Sequence, residues 1–296
     1  MRARFVLPAL GAVAALLLTG CVDNSTPAPE TSGAASSVTA DDAAVALLPA
    51  DVAASGTLSI GTDAAYPPNE YKDSAGAPIG WGIDLATAIA GKLGLDPDFQ
   101  ISKFDNIIPS IVGEKINIGE SSFTVNAARM EQVDFVNYYE SGIQWASATG
   151  TDVDPDNACG LRVAVQATTV QDTDEVPAKS DACVAAGLEP IEKLQFDTQD
   201  LATNAVVLGQ ADALSADSPV TFYAISQNDG DLQAAGETFD VTPYGIALAK
   251  GNGMAEAVQA ALQSLVDDGT YDDILNEWGV ADGGISTITI NELAVG

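Results

Sequence analysis

Within nine residues, the stretch SSFTVNAAR carries three hydroxyl side chains (Ser121, Ser122 and Thr124) and a guanidinium, that of Arg129. Hydroxyls and guanidinium N–H groups all donate hydrogen bonds, and the guanidinium adds a permanent positive charge, so together they suit an anion. Scarcity makes the arginine informative. The chain has 11 Lys and Arg against 42 Asp and Glu, and two of its arginines, Arg2 and Arg4, stand at the N-terminus. Only Arg129 and Arg162 remain for the rest of the chain. Composition also removes whole classes of chemistry. Without any His, the chain has no Ser-His-Asp or Cys-His nucleophile and no imidazole metal ligand. No catalytic residue, metal or cofactor is therefore expected. A formal net charge of −31 leaves no basic face for nucleic acid.

The elements that must position these residues alternate in type. TLSIG, DFQIS, INIGE, LRVAVQ, LEPIEKL, ADALSA and YGIALAK read as strands. GIDLATAIAGKLGL, QDLATNAVVLGQ, GMAEAVQAALQSLVDDG and YDDILNEWG have helical apolar spacing. Asn126 is placed to cap a short helix through NAARMEQV. This alternation predicts an α/β architecture with mostly parallel sheets. Ligands of such sheets bind beyond the carboxyl ends of strands, often between domains. The polar segments in that position are GTDAAY, GESSFT, VQATTVQD and LSADS.

The N-terminus reads as an export signal: Arg2 and Arg4, then an apolar run of about fourteen residues, too short for a membrane span. It ends in LTGC, Leu18 to Cys21, which resembles a bacterial lipobox. Residues 1–20 are then a lipoprotein signal peptide, and Cys21 carries lipid on the outer face of the cell membrane. Residues 21–55, rich in Ser, Thr, Pro, Ala and Gly, read as a flexible tether. With Cys21 acylated, Cys159 and Cys183 remain, and a disulfide between them is expected in an exported protein.

Four stretches in order, GTDAAYPPNEY, GWGIDLATAIAGKLGL, IIPSIVGEKINIGESSFTVNAARMEQVDF and DDGTYDDILNEWG, resemble the family-3 extracellular solute-binding proteins of ABC transporters, which bind polar amino acids. The resemblance covers roughly residues 56–291. It implies a two-lobe periplasmic-binding-protein-like fold with two hinge crossovers, near GIQWASA and DVTPYG, closing over ligand like a clamp. Lobe 1 would comprise 56–143 and 244–296, and lobe 2 would comprise 144–243, containing the disulfide. The partners implied are a free amino acid and the permease subunits, with the chain acting as a monomer.

Carried over residue by residue, the resemblance makes Arg129 the carboxylate-binding arginine, its planar fork suiting a carboxylate as Lys cannot. Thr124 and Ser122 assist it, and Ser121 matches a position that contacts ligand in some members. Asp217 matches the acid that pairs with the ligand's α-ammonium. Thr168 and Thr169 match second-lobe residues that help hold the carboxylate. Tyr66 and Phe104 match aromatics that sandwich the ligand side chain, and Asp63 matches an acid that meets cationic side chains in some relatives. Three positions depart from the family pattern. Gly82 stands where an acidic residue is common, Asn69 where Phe is frequent, and Glu120 where the residue is usually apolar or small. Glu120 either replaces the lost acid or points into solvent. Two further functions on this fold are a dehydratase-type enzyme, with Glu120 as its acid–base candidate, and a sensory ligand-binding protein.

Overall fold

The structure, a computed structural model, describes residues 38–228 and 230–294. The signal peptide, the lipid on Cys21 and the tether as far as residue 37, all expected from sequence, lie outside the described residues.

From Asp41 onward the chain is part of the folded body. Two short helices, α1 (Asp42–Val45) and α2 (Ala50–Ser55), precede the first strand. Asp41 caps α1 by accepting from the backbone N–H groups of Ala43 and Ala44, and its second oxygen accepts from Ser264 Oγ at 2.7 Å. Ala44 and Val52 enter the main core. The expectation of a tether reaching residue 55 is therefore corrected for residues 38–55. Local composition misleads here because the surface that receives Ala44 is built by segments far away in sequence.

Beyond them come β1 (Thr57–Thr62), β2 (Ala65–Tyr66), β3 (Glu70–Lys72), β4 (Pro78–Ile79), α3 (Trp81–Lys92) and β5 (Asp96–Ile101). Next are α4 (Ile107–Val112), β6 (Ile118–Thr124), α5 (Ala127–Met130), β7 (Val133–Ala148), β8 (Arg162–Gln166) and α6 (Val176–Ala185). They continue as β9 (Glu192–Phe196), α7 (Gln199–Val207), β10 (Ala213–Asp217) and α8 (Ser218–Gln227). The chain ends with β11 (Leu232–Ala249), α9 (Met254–Asp267), α10 (Thr270–Glu277) and β12 (Gly284–Ile290).

Strand order runs β5-β1-β6-β11-β7-β10-β8-β9, with β12 also on β7. β5, β1 and β6 are mutually parallel, as are β10, β8 and β9. Between these two halves lie the long antiparallel strands β7 and β11, of 16 and 18 residues. The first part of β7 pairs with β12, while its last residues pair with β10. These strands are the two crossovers, passing between lobes near Tyr139–Ile143 and Phe239–Tyr244. They approach closely at Gly142, where a Cβ would lie 2.4 Å from Thr238 Cγ2 and 2.9 Å from the carbonyl oxygen of Phe239.

Each lobe buries both faces of its sheet, which accounts for the near-continuous apolar runs of its strands. In the first, Leu58, Ile60, Leu85, Ile89 and Leu262 pack on one side, and Ile107, Ile111, Phe123 and Phe135 on the other. In the second, Ala164, Leu214 and Val206 oppose Val163, Val165 and Val176. Cys159 and Cys183 form a disulfide at an S–S distance of 2.05 Å, tying the segment before β8 to α6.

Candidate functional site

β1 and β6 lie side by side and parallel, so Asp63, just past the end of β1, falls beside the Ser121–Thr124 segment. In the other lobe β8 and β10 are parallel neighbours, bringing Gln166 and Thr169 near Asp217. These strand ends face one another across a small cavity. Its lining includes nine of the ten residues expected from sequence: Asp63, Tyr66, Phe104, Ser121, Ser122, Thr124, Arg129, Thr169 and Asp217. Glu70, Gln166, Val170 and Gln171 also line it.

A bulge makes the serine pair unusual. Phe123 pairs with Gly245 and Gly119 with Ala247, so Glu120, Ser121 and Ser122 oppose the single residue Ile246. Ser122 takes φ +50° there, in the left-handed region that non-glycine residues seldom occupy. Ser121 Oγ accepts from the backbone N–H of Asp63 at 3.0 Å and donates to Glu70 Oε1 at 3.3 Å. Ser122 Oγ donates to Glu70 Oε2 at 3.0 Å.

Arg129 reaches the cavity from α5, whose first turn is held by Asn126 accepting from the Arg129 backbone N–H at 2.9 Å. Its guanidinium donates to the carbonyl of Thr124 at 2.8 Å and to that of Thr168, on the opposite lobe, at 3.2 Å. Phe104 and Phe123 lie 5.3 and 5.6 Å from its central carbon, and their rings stack at 4.7 Å. Phe104 thus serves Arg129 as well as the cavity wall. Burial lowers the guanidinium pKa to about 10, which still leaves it charged at neutral pH.

Thr168 does not line the cavity. It sits at φ +64°, its backbone N–H donates to Asp172 Oδ2 at 2.9 Å, and its carbonyl meets Arg129. Its place is that of a backbone acceptor across the cleft. Thr169 Oγ1 donates to the Gln166 carbonyl at 2.8 Å, steadying the turn after β8.

Asp217 opens α8, yet its side chain makes no capping bond. Instead Oδ1 accepts from Gln171 Nε2 and Oδ2 from the Tyr244 hydroxyl, both at 2.7 Å. Its backbone N–H donates to the Tyr66 hydroxyl of the first lobe at 3.2 Å. Asp63 Oδ2 accepts from Gln166 Nε2 at 2.7 Å, another bond between lobes. Burial raises the Asp217 carboxyl above its ordinary range and pushes Asp63 up to about 6. Glu70 is raised well above the carboxylate range, first by burial and then by Glu120. One guanidinium and three carboxyl groups therefore converge on one small cavity.

Sequence reasoning missed Glu70, although GTDAAYPPNEY contains it. β2 and β3 pair Tyr66 directly with Glu70 across the Pro-Pro turn, and directly opposed residues project from the same face. The hairpin was the available signal. Glu120 is neither in solvent nor in the cavity wall. It is fully buried, accepting from the Tyr138 hydroxyl at 2.9 Å.

The model of bacterial extracellular solute-binding proteins, family 3, matches residues 58–281. An arginine-binding protein of Corynebacterium glutamicum is 42% identical over 249 residues, covering 83% of this chain and 82% of that relative. Among solved structures, an ancestral arginine-binding protein bound to arginine superposes with a TM-score of 0.69 at 34% identity, covering 75% of this chain and 98% of that one. An ancestral amino acid-binding protein described as a precursor of cyclohexadienyl dehydratase gives a TM-score of 0.67 at 30% identity, covering 77% and 97%. A match over this much of the chain, on a two-lobe fold whose strand ends meet at one polar cavity, decides the family: the chain belongs to the bacterial extracellular solute-binding proteins, family 3.

Proposed function

We propose that the chain is the substrate-binding component of an ABC importer and captures a free L-amino acid with a cationic side chain, arginine being the first candidate. The observation that carries this reading is the charge arrangement of the cavity. Arg129 with Ser122 and Thr124 suits the α-carboxylate, and Asp217 suits the α-ammonium. Asp63 and Glu70, beside the Ser121–Ser122 pair, leave two further acids for a side-chain cation. A neutral ligand would bring those acids no counter-charge in an enclosed cavity. The arginine-binding relatives point to the same ligand class. Tyr66 and Phe104 supply flat apolar walls for the methylene stem.

Closure is driven only by what the ligand gains in the closed form over the open one. Bonds between lobes at Arg129, Asp63 and Tyr66 involve the same residues that would grip ligand, so binding and closure are one equilibrium. The lobes are assigned as 56–143 with 244–296, joined by the helices α1 and α2 that precede β1, and 144–243. Export with lipid on Cys21 would hold the protein at the outer face of the membrane beside its permease.

Calorimetry with L-arginine tests the reading. Arg129→Ala is expected to weaken binding by at least a hundredfold, since removing one member of a buried charge pair costs about 3–5 kcal/mol. Unchanged affinity, or binding only of sugars or peptides, would overturn it.

A further inference from the structure

Asn69, Gly82 and Glu120, scattered in sequence, pack together behind Glu70, and the Gly82 backbone N–H donates to the Asn69 carbonyl at 3.0 Å. Trp81 Nε1 donates to Asn69 Oδ1 at 2.8 Å, and Asn69 Nδ2 donates to Ser122 Oγ at 2.9 Å. Ser122 in turn donates to Glu70. A Cβ on Gly82 would lie 2.7, 2.8 and 2.9 Å from Oε2, Oε1 and the carboxyl carbon of Glu120. Glycine at 82 and glutamate at 120 are thus complementary. The Glu120 carboxyl fills the space that the absence of a side chain at 82 leaves open.

This acid is placed differently from one that touches ligand. Glu70 and Glu120 are both 0% exposed, and Glu120 Oε2 meets no hydrogen-bond partner among the described residues. An ionised carboxylate is poorly served by such a place, whereas a neutral carboxyl tolerates it. The groups facing the pair from the surrounding elements are Asp63 beyond β1, Tyr66 on β2, and Tyr138 on β7. Lys72 of β3 draws on Asp63, while Asp105 and Asp200 repel it. Glu120 stands two residues before Ser122, whose hydroxyl meets Glu70, and its charge raises the proton affinity of Glu70, so ionising both acids in this enclosed place is costly without a cation beside them.

We propose that Glu120 is a positioning residue for ligand specificity: with Glu70 it forms a two-carboxyl unit that retains a proton in the ligand-free protein and releases it when a cationic side chain binds at Glu70. The proton leaves a carboxyl O–H bond for bulk buffer, and the ligand's guanidinium or ammonium replaces its charge, so the pocket stays electrically matched. A neutral side chain brings no replacement and leaves the proton in place. The pair thereby discriminates by charge, favouring cationic ligands more strongly as pH rises. Raised proton affinity fits this arrangement: Glu70 is pushed well up by burial and by Glu120, and burial moves Glu120 to about 7.

This inference rests on the proposed amino-acid site. The experiment is calorimetry of the purified full chain with L-arginine and L-glutamine, between about pH 5.5 and 8.5, in buffers of differing ionisation enthalpy. Wild type is expected to release more protons with arginine than with glutamine, and its arginine affinity to fall toward tenfold per pH unit on the acid side. Because Asp63 also titrates there, Glu120→Gln assigns the proton. It is expected still to bind arginine, with fewer protons released and the acid-side fall moved to lower pH. Tyr138→Phe removes the donor to Glu120 and is expected to move the fall to higher pH, a shift of opposite sign that a packing defect would not produce. Equal proton counts and coincident pH profiles in wild type and both variants overturn the inference while leaving the arginine site standing. Absence of arginine binding at every pH in wild type overturns both.

Discussion

Asp63, Glu70, Glu120, Glu175 and Asp217 are carboxyl groups held in the protein's interior, each with its proton affinity raised chiefly by burial. Such a group binds protons more tightly folded than unfolded. It therefore stabilises the fold on the acid side and costs stability as pH rises past its folded value. Glu175 isolates the effect from ligand binding. It lies in the second lobe, accepting from Trp145 Nε1 at 3.1 Å and from Ser215 Oγ at 3.0 Å, and burial moves it to about 7. The ligand-free protein is expected to lose stability between about pH 5 and 8. Glu175→Gln should be close to neutral near pH 5 and raise stability by roughly 1–3 kcal/mol near pH 8. Thermal unfolding across that range checks this; an identical pH slope in the variant contradicts it. The same residues mark the reach of sequence reading. Arg129, Asp217 and the serines were legible because their types and order carry a motif. Glu70 was not, because its direction depends on a hairpin, and Glu120's burial depended on what residue 82 lacks.

Strands and helices were mostly legible as elements, since their apolar periods are local. α3 shows the limit of that reading: Trp81, Ile83, Leu85, Ala86, Ala88, Ile89 and Ala90 are buried almost around the helix because it is enclosed on more than one side. The long crossing strands β7 and β11 were not legible at full length, as each changes partners midway. The bulge at Glu120–Ser122 left no trace in composition. At this scale the disulfide is separable from binding. It links Cys159 to Cys183 of α6, and neither residue lines the cavity. Closing 24 positions of chain stabilises by about 3 kcal/mol in the chain-entropy model. Cys159→Ala with Cys183→Ala is expected to lower the melting temperature by roughly 5–10 °C while arginine affinity changes less than about threefold. A large loss of affinity at a temperature where the variant is folded would contradict the separation.

Across the whole molecule, a net charge of −31 surrounds a site read as taking a cation. Long-range attraction raises the rate at which such a ligand arrives and is screened by salt. Stopped-flow association of L-arginine is expected to slow several-fold between about 20 and 200 mM salt, with L-glutamine nearly unaffected. Equal salt dependence for both would remove steering from the account. The exposed pair Lys103–Asp197, at 2.7 Å, also joins the lobes at the rim, but exposed pairs of this kind contribute at most about 1 kcal/mol. Closure is better attributed to the buried bonds at Arg129, Asp63 and Tyr66.

By itself the sequence determined the family pattern, the two-lobe α/β class and most of the residues that meet at the cavity. Those follow from residue types at short, fixed spacings, and Arg129 with its three hydroxyls needs little more than one strand and one helical turn. Tertiary structure decided the setting of Glu70. Asn69, Gly82 and Glu120 looked like three unrelated departures, and packing made them one unit behind Glu70. The physical reason is that a carboxyl group's charge state depends on what encloses it, and that enclosure is assembled from β1, β3, α3, β6 and β7 together.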